Sequence, residues 1–199
     1  VGEMGGTWLT FDNNEQTNEY IDNSLSIPES LMKKIRELIE LKYSSSMFYD
    51  ETKKTMISIE MNEGMSIDVY KKIQKLLIND LSQIIKQSSL GKNLKIDTTT
   101  IAADVMNKHV GKGFAVHRIV DWLKEKKINP KQIFAFGDSM SDLLMAEKFY
   151  ELGFLIEFVF VGNQQIQQSE YKFPIIYTTA KFEKGTLEFL TNNSFTKTS

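Results

Sequence analysis

The sequence contains no cysteine, and it has only three prolines and two histidines among 199 residues. The absence of cysteine excludes disulfides, thiolate zinc sites and cysteine nucleophiles, and it fits a reducing compartment. No apolar run approaches the roughly 18 residues that a membrane-spanning helix needs, and the N-terminus has no basic-then-apolar secretory pattern. We therefore expect a cytoplasmic protein.

An excess of charge of one sign is also lacking, because 24 basic and 26 acidic residues give a formal net charge of −2. The charges are interspersed, without the basic stripe typical of nucleic-acid binding or the polybasic helix typical of membrane surfaces. With 41% hydrophobic and 25% charged residues, the chain has the composition of a globular protein with one large or two small domains. We expect no nucleic-acid or membrane partner, and nothing in the sequence indicates an oligomeric state.

The first half of the chain predicts well-separated strands with helices between them. The segments TWLTF and TMISIEM are predicted strands, and LKIDTTTIAADVM is predicted to form two short extended pieces. Apolar residues at helical spacing predict one helix from about Ile27 through ESLMKKIRELIELK and a longer one over 66–87. This pattern indicates a small open-faced α/β sandwich domain, which we place at residues 1–107.

The second half predicts a different architecture. Three short apolar segments that do not alternate, IFAF, FVFVG and PIIYTT, are typical of strands covered on both faces in a parallel sheet. Helices are predicted before IFAF, between IFAF and FVFVG, and after PIIYTT, and Trp122 is expected in the core. The repeated alternation indicates a doubly wound, partly Rossmann-like parallel sheet. We place this domain at residues 108–199, with a flexible tail from about residue 192.

Two carboxylates follow the IFAF strand at a spacing of four residues. Asp138 comes one residue after the strand, beyond Gly137, which permits a tight turn, and Asp142 lies one helical turn further on. Ligands of open α/β sheets bind beyond the carboxyl ends of the strands, and two convergent carboxylates suit a hard cation such as Mg²⁺. The alternative is that Asp138 caps a helix while Asp142 complements its dipole.

Two further residues are predicted at the same edge. Lys112 lies between two glycines at the start of a helix, where its ammonium can bind a phosphate, although a lone lysine can equally be solvated. Asn163 follows the FVFVG strand and can approach a phosphate there, although Gly-Asn is also an ordinary turn. The order of a lysine and then two aspartates predicts a combined phosphate and metal site.

GKGFAV followed by FAFGDSMSDLLM resembles the third and fourth motifs of the haloacid dehalogenase superfamily. The resemblance is to its phosphatase branch with a cap domain, which includes Cof-type, phosphoglycolate, sucrose-phosphate and mannosyl-3-phosphoglycerate phosphatases. VGN at 161–163, the glycine of Glu183-Lys184-Gly185, and GEMGGTWL, with Met4 in place of an asparagine, are similar to further family motifs. The resemblance implies that the first domain is the cap and the second the C-terminal part of the core.

The resemblance also implies a function, that of a Mg²⁺-dependent hydrolase of a small phosphorylated metabolite such as a sugar phosphate. Lys112 would be the catalytic, phosphate-binding lysine, Asp138 and Asp142 the metal-holding acids with Asp138 also catalytic, and Asn163 a substrate-binding residue. In the family an aspartate attacks the phosphate and forms an aspartyl-phosphate. Ser141 stands where many relatives have an asparagine.

The family's nucleophile motif, an apolar strand that runs into D-x-D-x-T or D-x-D-x-V, is not found in the sequence. The nearest imitation is Asp12 after TWLTF, with Asn14 in place of the second aspartate. We expect the nucleophile on an N-terminal segment that precedes this chain, an open edge on the IFAF strand without it, and no activity from the chain alone. The alternative is a non-catalytic protein that binds metal or phosphate, or that acts through its cap. The sequence identifies neither the substrate nor the cap residues that select it.

Overall fold

The computed structural model describes residues 1–11 and 17–193 of the chain. The chain divides into two compact units, residues 1–111 and 112–199, whereas the first predicted domain ends at residue 107. Asp12 and the predicted tail beyond Asn193 lie outside the described residues. None of the helices in the described ranges combines the length and the apolar character needed to cross a membrane.

The first unit contains two antiparallel sheets. Strands β1 (Thr7–Phe11) and β2 (Thr17–Ile21) pair with each other. The larger sheet has the order β3-β4-β6-β5, and its strands are β3 (Met47–Tyr49), β4 (Ile57–Met61), β5 (Leu94–Thr98) and β6 (Ala102–Asn107). The strands β1, β4, β5 and β6 confirm the prediction. Strands β2 and β3 were not predicted, because β2 is exposed throughout and β3 is too short to show an alternating pattern.

Two helices of the first unit pack on one face of the larger sheet. Helix α1 (Glu29–Leu38) continues in a π-helical turn over Ile39–Tyr43, and helix α2 spans Ile67–Gln87. Their apolar stripes meet alternate residues of the central strands, so that the core contains Leu31, Ile35, Leu77, Leu81, Ile57, Ile59, Ala103 and Val105. The helical spacing in the sequence predicted both helices because each has one buried face.

A buried acid lies on the opposite face of this sheet. Asp104 is only 7% exposed, and its Oδ1 accepts a hydrogen bond of 2.6 Å from the Ser58 hydroxyl on the neighbouring strand. Burial raises the pKa of the Asp104 carboxyl above its ordinary value, and the nearby Asp97 and Glu60 act in the same direction. The hydrogen bond from Ser58 opposes the shift without cancelling it. The folded unit therefore binds the Asp104 proton more tightly than the unfolded chain does.

Asp104→Asn should stabilise the protein at neutral pH by about 1 kcal/mol, because asparagine keeps an acceptor for Ser58 and removes a buried charge. With the folded pKa raised, the wild-type unfolding free energy falls as pH rises from the unfolded value, about 3.9, to the folded one. The advantage of the variant should thus vanish in acid. Urea unfolding from about pH 3.5 to 7.5 measures it, with Asp121→Asn as the control, since the Asp121 side chain is 72% exposed and belongs to the second unit. A pH-independent difference would contradict the prediction.

The second unit contains a parallel sheet with the order β7-β8-β9. Its strands are β7 (Ile133–Gly137), β8 (Ile156–Phe160) and β9 (Ile175–Tyr177), and its helices are α3 (Lys112–Glu125), α4 (Leu143–Glu151) and α5 (Phe182–Asn192). Helices α3 and α4 pack against one face and α5 against the other. Helices on both faces of a parallel sheet confirm the predicted α/β fold class.

Strand β7 lies at the edge of this sheet, since it pairs with β8 alone among the described residues. Ala135 is buried, but Phe134 and Phe136 are half-buried and pack on Phe189 of α5. The predicted cover on both faces of IFAF is therefore incomplete. The predicted core position of Trp122 is wrong, because it is 37% exposed and lies two residues after the buried Val120, on the other side of the helix.

Candidate functional site

Lys112 and Asp142 are in direct contact at the carboxyl edge of the parallel sheet. Lys112 is the first residue of α3, and Asp142 ends a 3₁₀ turn, Met140–Asp142, that follows β7. The Lys112 ammonium donates hydrogen bonds to Asp142 Oδ1 and, at 2.9 Å, to the Ser141 hydroxyl. The Lys112 and Asp142 side chains are 21% and 14% exposed, so that the pair is largely shielded from water. The structure thus brings together two of the predicted site residues.

The second oxygen of Asp142 closes the turn that leads into α4. Asp142 Oδ2 accepts hydrogen bonds from the backbone N–H groups of Asp138 and Ser139, at 3.1 and 3.0 Å, and from the Ser139 hydroxyl at 2.8 Å. Together with the Ser139 cap, this is a capping box, which satisfies N–H groups that have no partner within the helix. Ser139 and Asp142 therefore cap the start of this helical segment, whereas the alternative prediction gave that role to Asp138.

Glycines at this edge leave room for these close contacts. A Cβ on Gly137 would lie 2.1 Å from Asp142 Cβ, and one on Gly162 would lie 2.0 Å from the backbone oxygen of Asp138. Gly137 does not have a positive φ. The prediction that glycine is needed there for a tight turn is therefore wrong. Gly137 is required because the Asp142 side chain folds back onto the end of β7.

The contacts of Asp142 determine its charge. Burial alone raises the pKa of the Asp142 carboxyl, but the hydrogen bonds from Lys112 and Ser139 outweigh it, and the pKa lies below its ordinary value. Asp142 is therefore ionised at neutral pH and forms a true ion pair with Lys112. A single carboxylate fixes both the start of α4 and the position of the lysine.

Asp138 has a different environment. It follows β7 directly and its side chain is exposed; in the described part of the chain its carboxylate has no hydrogen-bond partner. A carboxylate free of protein partners fits Mg²⁺, which takes hard oxygen ligands and retains several waters. Asp142 fits less well, because both of its oxygens are already engaged. Within residues 1–11 and 17–193, no three histidine or acidic side chains form a group that can hold a metal.

A cavity of about 360 Å³ adjoins these acids. Its lining comes from the ends of β7 and β8 and from the first turns of α5, and consists of Phe136, Gly137, Asp138, Asp142, Val161, Phe182, Glu183 and Thr186. Asn163 is exposed and does not line the cavity. A larger cavity of about 520 Å³, formed by residues 147–151 of α4 and residues 170–173, contains none of the predicted site residues.

Phe182 was not predicted as a site residue. Its φ is +54°, a left-handed conformation that costs a bulky residue on the order of 1–3 kcal/mol. The backbone N–H of Phe182 donates a hydrogen bond of 2.8 Å to the Val161 oxygen. In the sequence, only the glycine motif Glu183-Lys184-Gly185 pointed to this segment. Gly185 is needed there because a Cβ on it would lie 2.5 Å from the Ala180 oxygen.

Comparison with known proteins assigns the family. The model for haloacid dehalogenase-like hydrolases matches residues 6–155, which include Lys112, Asp138 and Asp142. The chain belongs to this family, and the resemblance stated from the motifs is confirmed. A search of curated proteins found no match.

Solved structures share the fold. Protein 0175 of Thermoplasma acidophilum is 14% identical with a TM-score of 0.51, and the alignment covers 94% of this chain and 68% of that protein. SMU.1108c from Streptococcus mutans UA159 is 16% identical with a TM-score of 0.49 and coverage of 96% and 75%. Trehalose-6-phosphate phosphatase of Aspergillus fumigatus is 16% identical with a TM-score of 0.45 and coverage of 90% and 65%. At these identities the similarity shows the fold alone, and only the Thermoplasma acidophilum protein has a TM-score above 0.5 among the three. The chain spans between 65% and 75% of the length of these three proteins.

Proposed function

We propose that the protein is a Mg²⁺-dependent phosphomonoester hydrolase that acts on a small phosphorylated metabolite, such as a sugar phosphate, in the cytoplasm. The observation that carries the proposal is the contact of Lys112 with Asp142, four residues after the exposed Asp138. Membership in a hydrolase family supports it. Nucleic acids and membranes are not part of the proposal, and the oligomeric state is left open.

Each residue of the cluster has a role in the proposal. The Lys112 ammonium, fixed by Asp142 and Ser141, binds the phosphoryl oxygens and stabilises the charge that they carry during transfer. Asp138 holds the metal ion, which when bound neutralises charge on the phosphoryl group. Asp142 was predicted as a second metal ligand, and its contacts with Lys112 and Ser139 support a further role, that of orienting Lys112. The predicted substrate contact of Asn163 stays a prediction.

The nucleophile in this proposal is an aspartate outside the present sequence, and the reaction passes through an aspartyl-phosphate. We infer that it lies on a strand that pairs with the open edge of β7. Phe134 and Phe136 of β7 are only half-buried, which supports the inference. An apolar edge with unpaired backbone groups favours pairing with a further strand. Such a strand would end beside Asp138, at the carboxyl edge.

The test is the release of inorganic phosphate from p-nitrophenyl phosphate and from a panel of sugar phosphates, with Mg²⁺ or with EDTA. We expect activity from a protein in which a further strand with an aspartate pairs with β7, loss of that activity with EDTA, and none from the present chain alone. Turnover by the present chain would show that its own residues supply the nucleophile. A protein with that strand but without activity would contradict the enzyme proposal and favour the alternative, a non-catalytic phosphate- or metal-binding protein.

A further inference from the structure

The larger cavity of the second unit, about 520 Å³, takes no part in the proposed function. Because α4 connects two parallel strands, its second half lies toward the amino edge of the sheet, as do the residues just before β9. These two segments form the lining, which consists of Glu147, Tyr150, Glu151, Glu170, Tyr171, Lys172 and Phe173. The volume falls within the range of small-molecule sites.

Three aromatic rings meet in this lining. Phe173 is buried, and its ring centroid lies 6.2 Å from that of Tyr150 and 5.5 Å from that of Tyr171. The ring planes are tilted by 50° and 47° and do not stack, so that the rings do not cover each other face to face. Tyr150 is 43% exposed. The cavity therefore has an apolar base at Phe173 and ring surface that a ligand can reach.

Carboxylates lie beside these rings. Glu147 is half-buried and Glu170 is exposed, and among the described residues neither forms a hydrogen bond or an ion pair. Burial raises the pKa of the Tyr171 hydroxyl, and the charges of Glu147 and Glu170 raise it further, so both carboxylates act on the same ring. Glu151 is already in an ion pair on its own helix, and Lys172 is the one basic residue of the lining. Negative charge therefore predominates in the cavity.

We propose that this cavity binds a small organic cation, an ammonium group on a compact apolar body. The face of an aromatic ring attracts a cation within about 6 Å, and most strongly where water is excluded. The carboxylates of Glu147 and Glu170 supply the opposite charge, and Phe173 supplies apolar surface. An anion is disfavoured, because three carboxylates in the lining oppose it and one ammonium favours it. The inference does not depend on the proposed function, since Lys112, Asp138 and Asp142 do not line this cavity.

The test is an NMR titration of the present chain with choline and with 3,3-dimethylbutan-1-ol, which has the same shape as choline but no charge. We expect choline to bind about tenfold more tightly, with the largest shift changes at the backbone amides of residues 147–151 and 170–173. Tyr150→Leu keeps apolar bulk without a ring and should weaken choline binding about two- to fivefold. Glu147→Gln should weaken it by a similar factor, and Lys172→Gln should strengthen it.

Two controls separate this site from general attraction to the surface. Asp138→Asn removes a carboxylate from the smaller cavity, and Phe48→Leu removes a ring of similar exposure, 45%, from the first unit; neither should change choline binding. Circular dichroism checks that each variant is folded. Equal affinity for the two ligands, no binding of choline, or choline binding that Tyr150→Leu leaves unchanged would overturn the inference. Weaker choline binding by Asp138→Asn would also overturn it, because the attraction would then not belong to this cavity.

Discussion

Gly137→Ala should lower the free energy of unfolding by about 3 kcal/mol. The added Cβ would lie 2.1 Å from Asp142 Cβ and 2.7 Å from its Cγ, far inside van der Waals contact. Asp142 Cβ is attached to the backbone and cannot move aside by changing its rotamer. Relief of the clash requires a shift of the whole turn, which breaks the hydrogen bonds of Asp142 with Ser139 and with Lys112.

Urea unfolding measures this effect, and Gly113→Ala is the matched control. The nearest atom to a Cβ on Gly113 is Lys148 Cε at 3.6 Å, an ordinary contact, and Gly113 lies within helix α3. Alanine is favoured over glycine in a helix by about 0.5–1 kcal/mol, so the control should be neutral or slightly stabilising. Equal stabilities for the two variants would show that the turn after β7 is looser than its geometry indicates.

Much of the second unit was predictable because its signals are local. IFAF, FVFVG and PIIYTT are short apolar runs, and the segments before IFAF, between IFAF and FVFVG, and after PIIYTT have helical spacing, so a parallel sheet was predicted. The proximity of Lys112 to Asp142 was also predictable, because parallel strands place their carboxyl ends at one edge.

The roles within the site were less predictable, because they depend on side-chain geometry. Spacing suggested that Asp138 and Asp142 were equivalent. Among the described residues, however, the Asp138 carboxylate has no hydrogen-bond partner, whereas Asp142 holds both a helix start and a lysine. The reason for Gly137 was a close approach rather than a special φ, which no pattern reveals. The position of Phe182 depends on a backbone conformation that propensity disfavours. Tertiary contacts decided each of these features.

In the proposed enzyme, Lys112→Ala should reduce phosphate release about 10²- to 10³-fold, and in the present chain it should lower the free energy of unfolding by about 2 kcal/mol. The loss of activity follows from the removal of the cation that is proposed to face the phosphoryl oxygens. The loss of stability follows because Asp142, 14% exposed, keeps its charge and loses its partner. Phosphate release measures the first effect and urea unfolding of the present chain the second.

A double-mutant cycle with Asp142→Asn isolates the pair. Because each single substitution breaks the same contact, the double variant should be more stable than the sum of the single losses implies, by about 1–2 kcal/mol. Lys124→Ala is the control, because it breaks an exposed ion pair on the same helix. The side chains of Lys124 and Asp121 are 74% and 72% exposed, and Lys124 Nζ lies 3.9 Å from Asp121 Oδ1. Lys124→Ala should lower the free energy of unfolding by less than about 0.5 kcal/mol.

The pH dependence gives an independent check of the same pair. The pKa of Asp142 is lowered in the folded chain, so its contribution to stability is present above the unfolded pKa of about 3.9 and is lost as pH falls through the folded value. Without Lys112, the hydrogen bond and the positive charge that lower the pKa of Asp142 are lost, so the pKa should rise relative to wild type and the charge of Asp142 should stabilise the variant less at neutral pH. The stability difference between wild type and Lys112→Ala should therefore be largest at neutral pH and shrink in acid. A difference that stays constant down to about pH 3 would mean that Lys112 stabilises the fold by packing and not through the Asp142 charge.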